Sequence, residues 1–151
     1  MKYDIVYYCV SDIGKRRSVN QDNFICDGRF MELEGDNTDF PLSGCRSAKS
    51  RLLLGIFDGM GGEECGEVAS YIASKTASQT DLKGDAIKKL LELCQKANLD
   101  ICAYIDENGL SSMGTTAAML AFDKKGISLC NVGDSKIFRF SKGKLEQISK
   151  D

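Results

Sequence analysis

The spacing of apolar side chains changes period several times along the chain, and each change predicts an element. Residues 3–10 are rich in Tyr, Ile and Val with apolar groups on both alternating faces, which predicts a strand buried on two sides. A polar loop, 11–22, carries the consecutive cations Lys15, Arg16 and Arg17 and ends in Asp22. Residues 23–26 and 29–33 flank Asp27-Gly28, a two-residue hairpin signal. Residues 34–50 are polar, hold the single proline, Pro41, and read as a surface loop. Five apolar residues and Gly55 then run from Leu52 to Phe57, a buried strand over 51–57 that delivers Asp58 to the edge of the core.

Glycines 59, 61 and 62 follow, forming a loop that lets a ligand approach the backbone. From Glu63 the period becomes helical, with Val68, Ala69, Ile72 and Ala73 on one face and acids 63, 64 and 67 in the first turns, where the helix dipole favours them. A second helix is predicted over 85–108, its stripe being Ile87, Leu90, Leu91, Cys94, Ala97, Ile101 and Ile105. Strands over 114–122 and 127–132, a turn at Gly133-Asp134-Ser135, and a hairpin of 136–140 with 144–148 around Lys142-Gly143 complete the chain. Two successive helices flanked by hairpin-connected strands predict an α+β fold with a largely antiparallel sheet system.

Composition narrows the chemistry. The 151 residues suit one domain, and with 20 basic against 22 acidic residues the net charge of −2 offers no field for nucleic acid. No apolar run approaches a bilayer span and Met1-Lys2-Tyr3-Asp4 carries no secretory pattern, so no membrane partner is expected. Seven cysteines without a C-x-x-C pair read as reduced thiols of a cytoplasmic protein. Histidine is absent, which excludes Ser-His-Asp and Cys-His catalysis and histidine-ligated zinc.

What remains is carboxylate, guanidinium, hydroxyl, backbone and metal. Asp22, Asp58 and Asp134 each sit in a turn after a strand or at a strand start, with Arg17 five residues before Asp22. Gathered together, the acids would hold Mg²⁺ or Mn²⁺ and the guanidinium would grip two phosphate oxygens. That is the equipment of metal-assisted phosphoester hydrolysis. Singly, each residue reads as easily as a solvated loop cation or a turn carboxylate.

In order, Gly14-x-x-Arg17-x-x-Asn20-Gln21-Asp22, Phe57-Asp58-Gly59-Met60-Gly61-Gly62, Gly114-Thr115-Thr116 and Asn131-Val132-Gly133-Asp134-Ser135-Lys136 resemble the metal-dependent protein serine/threonine phosphatases of type 2C, the PPM family. The resemblance implies an α-β-β-α sandwich, two packed antiparallel sheets flanked by helices, of which residues 1–151 would be the N-terminal part of one domain, incomplete at the C-terminus. It implies hydrolysis of phosphoserine and phosphothreonine in proteins by metal-activated water, with phosphoprotein products of a Ser/Thr kinase as substrates, in signalling. Arg17 is similar to the family's phosphate-binding arginine. Asp22 resembles a ligand of one of two Mn²⁺ or Mg²⁺ ions, Asp58 their bridging carboxylate, Gly59 a backbone-carbonyl ligand, and Asp134 a ligand of a third, weaker ion of bacterial members. Met60, where many eukaryotic members carry histidine, marks the bacterial type. The family's two later metal-binding aspartates would lie beyond Asp151, so the resemblance also implies a poorly active chain that self-associates through an unpaired sheet edge or is partly disordered. A rival reading follows from the same shortfall: a non-catalytic module that binds a phosphoprotein or another partner.

Overall fold

The computed structural model describes residues 4–34, 41–47, 50–60 and 65–150. They form β1 (Asp4–Cys9), β2 (Asp22–Cys26), β3 (Leu42–Ser47), β4 (Leu52–Met60), α1 (Gly66–Ser78), α2 (Ala86–Asn108), β5 (Gly114–Thr115), β6 (Ala117–Asp123), β7 (Gly126–Val132), β8 (Phe138–Ser141) and β9 (Lys144–Gln147). The main sheet runs β2-β4-β6-β7, with β5 paired to the end of β4, and every pairing is antiparallel. β1-β3 and β8-β9 form separate two-stranded sheets.

Period-two alternation sorts the main sheet's side chains. Ile25, Leu53, Phe57, Ala117, Met119 and Ala121 face both helices and pack on Ala73, Ala77, Leu90, Leu93 and Ala97. The opposite face gives Phe24, Cys26 and Leu54 to a smaller core with Leu42, Met31, Tyr7 and Cys9, so the β1-β3 ribbon lies across the β2-β4 end of that face. The described residues thus build a helix layer, a five-stranded sheet and part of a second sheet layer.

Several expectations are corrected in detail. β1 is half-exposed rather than buried on two sides. Its odd-numbered residues turn inward, while Val6 is 79% and Tyr8 69% accessible, because only one face of the ribbon meets the main sheet. β3 lies inside the expected surface loop; its Leu-Ser-Gly-Cys-Arg-Ser sequence has little strand character, and pairing with β1 imposes the conformation. The hairpin turn forms, with Asp27 and Gly28 both at positive φ (54° and 80°), but only the Cys26–Arg29 bridge continues beyond it. The buried Asn23 accounts for this. Its side-chain amide donates to the Met31 carbonyl at 2.9 Å, and its carbonyl accepts from Met31 N at 3.0 Å, replacing the ladder expected over 29–33.

α1 begins at Gly66, and the expected earlier start at Glu63 and Glu64 lies outside the described residues. α2 keeps its predicted bounds because Asp85 caps Ile87 N and Lys88 N while Gly109, at φ 64°, ends it in the left-handed conformation. Its buried stripe is Leu90, Leu93, Ala97 and Ile101, whereas the expected stripe members Ile87 (62%) and Leu91 (56%) are exposed. Neighbouring stripes satisfy the same helical spacing, and contact with the sheet selects this one.

This choice of face is measurable. Leu90→Ala is expected to cost about 2–5 kcal/mol in urea denaturation and Leu91→Ala less than about 0.5 kcal/mol; comparable losses would place the helix in the wrong rotation.

Candidate active site

Antiparallel register sets Asp22, the first residue of β2, directly opposite Asp58 on β4. Both side chains leave the sheet on the face turned away from the helices, since they share strand parity with Phe24 and Ile56. Asp22 titrates above the ordinary carboxylate range, first because of burial and then because of the Asp58 charge opposite it. Like charges directly opposite on neighbouring strands are unfavourable unless something neutralises them.

β4 does not end at Phe57 as expected. It stays extended through Gly59 and Met60, which pair with Thr115 and Gly114. The Gly59 amide donates to the Gln21 carbonyl at 3.1 Å, and a Cβ on Gly59 would collide with the carbonyl oxygens of Gly66 and Gln21. Gly59 is therefore glycine because three backbone segments meet there, not because of a turn. Gly61 and Gly62 of the expected glycine loop lie outside the described residues.

The Thr-Thr and Gly-Asp-Ser motifs converge on the Asp58 backbone. Thr116 N donates to the Asp58 carbonyl at 2.9 Å, and Thr115 Oγ1 donates to the same oxygen at 3.0 Å. Asp58 N donates to Thr116 Oγ1 at 3.1 Å, and that hydroxyl lies 2.6 Å from Ser135 Oγ. Gly133, at φ 88°, passes so close to Thr116 that a Cβ would stand 2.8 Å from its Cγ2. Asp58 is thus held on both backbone polar groups before any ligand binds.

A cleft of about 440 Å³ opens above the pair, lined by Asp12, Arg17, Asn20, Gln21, Asp22, Asp58, Gly59 and Met60 among others. Arg17, Asp22, Asp58 and Gly59 therefore line one cleft, and the loop that carries Arg17 is shaped by two side-chain contacts. Asn20 Oδ1 accepts from Asp22 N at 3.1 Å, and Asn20 Nδ2 donates to Ser11 Oγ at 2.8 Å. Asp134 is exposed and does not line this cleft; its neighbour Ser135 lines an adjoining cavity with Asp22 and Asp58. Asp12, which the sequence did not single out, lines both spaces while its Oδ1 accepts from Gly14 N at 2.7 Å. Its Asp-x-Gly spacing is an Asx-turn signature that could have flagged it.

The donor set at the pair is oxygen only, two facing carboxylates and a neighbouring backbone carbonyl, which fits a hard divalent cation. Among the described residues no group of three carboxylates, thiols or imidazoles converges to hold one, so water or further ligands would complete the shell.

The Protein phosphatase 2C profile matches residues 18–151. The chain belongs to the protein phosphatase 2C family. The matched span includes Asp22, Asp58, Gly59 and Asp134, and Arg17 stands one residue before it. Relatives include the serine/threonine protein phosphatase PstP of Mycobacterium tuberculosis, 33% identical over 123 residues, covering 79% of this chain and 23% of that protein. A serine/threonine phosphatase stp of Listeria welshimeri is 31% identical over 104 residues, covering 64% of this chain and 41% of that one. Among solved structures, the catalytic domain of PstP in complex with two manganese ions superposes with a TM-score of 0.73 at 29% identity, over 99% of this chain and 57% of that one. The chain thus spans less than half the length of these curated relatives and just over half of the solved phosphatase domain. The fold shared is this family's α+β arrangement of antiparallel sheets with two helices, covering part of the full domain.

Two outcomes test this geometry. Asp22 titrates above its unfolded value, so its ionisation removes stability as pH rises from the ordinary aspartate value through the raised one, and that loss persists at neutral pH. Asp22→Asn should therefore raise the metal-free melting temperature at pH 7 by a small amount, solvent screening limiting the gain, and abolish stabilisation by added Mn²⁺. Thr116→Val, which leaves the Asp58 amide without its side-chain acceptor, should destabilise by about 1–2 kcal/mol and weaken the Mn²⁺-induced melting shift; an unaltered shift would deny the hydroxyl its bracing role.

Proposed function

We propose that the chain carries the Arg17–Asp22–Asp58 part of a bacterial-type, Mn²⁺- or Mg²⁺-dependent protein serine/threonine phosphatase centre, acting on phosphoserine and phosphothreonine in proteins. The observation that carries this reading is the register pair: two carboxylates opposed across a strand boundary, in a cleft that also contains an arginine. When bound, the divalent ions would lower the pKa of water and neutralise charge on the phosphoryl group. Asp22, Asp58 and the Gly59 carbonyl would hold them, and Asp134 is kept as a ligand of a third ion only within the proposal. Arg17, with no ion-pair partner among the described residues, would grip two phosphoryl oxygens in its planar fork and fix the substrate's orientation. Thr116 and Ser135 would keep Asp58 from shifting as charge moves through the site.

The seven free thiols support a cytoplasmic setting, and no helix among the described residues is long and apolar enough to cross a membrane. Exposed Phe138, Phe140 and Leu145 on the β8-β9 hairpin support self-association within the same proposal. The rival reading, a phosphoprotein-binding module without turnover, draws on one observation: two carboxylates, not three or more, meet in the described site.

Hydrolysis of p-nitrophenyl phosphate with added Mn²⁺ separates the two. The phosphatase reading expects Asp58→Asn to lose at least about tenfold in kcat/KM and Arg17→Ala to lose chiefly through KM. Equal rates for wild type and Asp58→Asn, with Arg17-dependent retention of a phosphopeptide, would leave the binding module standing.

A further inference from the structure

Two of the seven thiols meet away from the phosphate cleft. Cys94 on α2 and Cys130 on β7 bring their sulfurs to 3.7 Å, within the helix–sheet core yet only half-buried. They are 36 residues apart in sequence and belong to different layers. Cys94 also lines a cavity of about 210 Å³ between α2 and the sheet, with Asn98, Cys102, Thr115 and Val132 among its walls, while Cys130 stays outside that lining and is itself only partly covered.

We propose that Cys94 and Cys130 form a hydroperoxide-responsive dithiol site that closes to a disulfide, tying α2 to the outer strand β7. The Cys130 thiolate would attack one peroxide oxygen, forming the S–O bond of a sulfenic acid as the O–O bond breaks and the second oxygen leaves as hydroxide. Cys94 sulfur would then attack the Cys130 sulfur; the S–S bond forms, the S–O bond breaks, and the Cys94 proton joins the departing hydroxide. In balance, two thiols and one peroxide give one disulfide and two waters. Closure requires the sulfurs to approach by about 1.7 Å to reach the roughly 2.05 Å bond.

Electrostatics separate this pair from the other close thiols. The two sulfurs share a hydrogen bond in which either can be the donor, and with Cys94 donating, that bond lowers the Cys130 thiol and favours its thiolate. Cys9 and Cys26 also lie in one apolar cluster, but burial pushes Cys9 up to about 12 and raises Cys26 as well, which disfavours the thiolate at both.

The consequence reaches the site through the chain. β7 ends at Val132, directly before Gly133 and Ser135, which brace Thr116 and through it Asp58. A covalent tie at Cys130 would restrain the strand that carries that turn.

The test is hydrogen peroxide treatment of the whole chain, alkylation of remaining thiols, and mass spectrometry of a non-reducing digest. The expected major product is the Cys94–Cys130 linked peptide, with a melting temperature raised by several degrees and restored by dithiothreitol. In Cys94→Ser the link should vanish and dimedone should trap a sulfenic acid on Cys130; in Cys130→Ser neither should form at position 94. Dominant Cys9–Cys26 or intermolecular links in wild type, or a Cys130 that dimedone does not label in Cys94→Ser, would overturn the proposal. The wild-type digest decides even where a variant fails to fold.

Discussion

The register of β2 against β4 is the constraint on which the site depends. Side chains alternate across a sheet, so a slip of one residue would set Asp22 opposite Phe57 and turn one of the two acids into the helix-facing core. Three features forbid the slip. Phe24 and Ile25 are buried in cores on opposite faces, so exchanging them would bury neither well. Gly59 N is tied to Gln21 O one step beyond the pair, and Asn23 spends its side chain anchoring Met31. The carboxylates are adjacent because the hydrophobic pattern around them leaves the strands no other alignment.

That pattern was legible in the sequence where local signals and packing agreed. Asp85 and Gly109 bracket α2 by capping chemistry alone, and Asp27-Gly28 forces a turn because both positions require positive φ. Agreement fails where tertiary contacts overrule local preference. β3 carries no strand signal of its own and exists because β1 supplies hydrogen-bonding partners. Gly59 looks like punctuation and is instead a strand residue at a crowded crossing of backbones. The face of α2 was ambiguous for a related reason: Leu90 and Leu91 are equally apolar, and only the sheet distinguishes them.

Site residues divide along the same line. Asp58 could be found because a charged residue at the end of an apolar strand contrasts with its surroundings, and Arg17 and Asp22 because they stand in an ordered set of motifs that resembles the family's. Thr116 and Ser135 could not be given a task from sequence, since small hydroxyl residues in a strand and a turn are unremarkable in both places. Their role is visible only once the 2.6 Å contact between them is seen to end on the Asp58 amide. Asp12 escaped because its own loop conformation explains it, through the bond from Gly14 N, while the cavity it lines is assembled from distant segments.

Opposing two carboxylates costs stability in the cation-free protein, and the surrounding backbone contacts explain how the fold tolerates it. Asp58 could relieve the repulsion by shifting its backbone, but its carbonyl accepts two hydrogen bonds and its amide donates one. The threonine making two of these contacts is β-branched, so its hydroxyl has few rotamers through which to drift. Gly133 lies against the threonine methyl and closes off the remaining space, which only a residue without Cβ at positive φ can do. With backbone escape blocked, the cost falls on ionisation: Asp22 titrates high, first because of burial and then because of the opposing Asp58 carboxylate. A cation between the two would offset both charges. Thr115, Thr116, Gly133 and Ser135, the small residues around Asp58, thus form a rigid mount that keeps two like charges together.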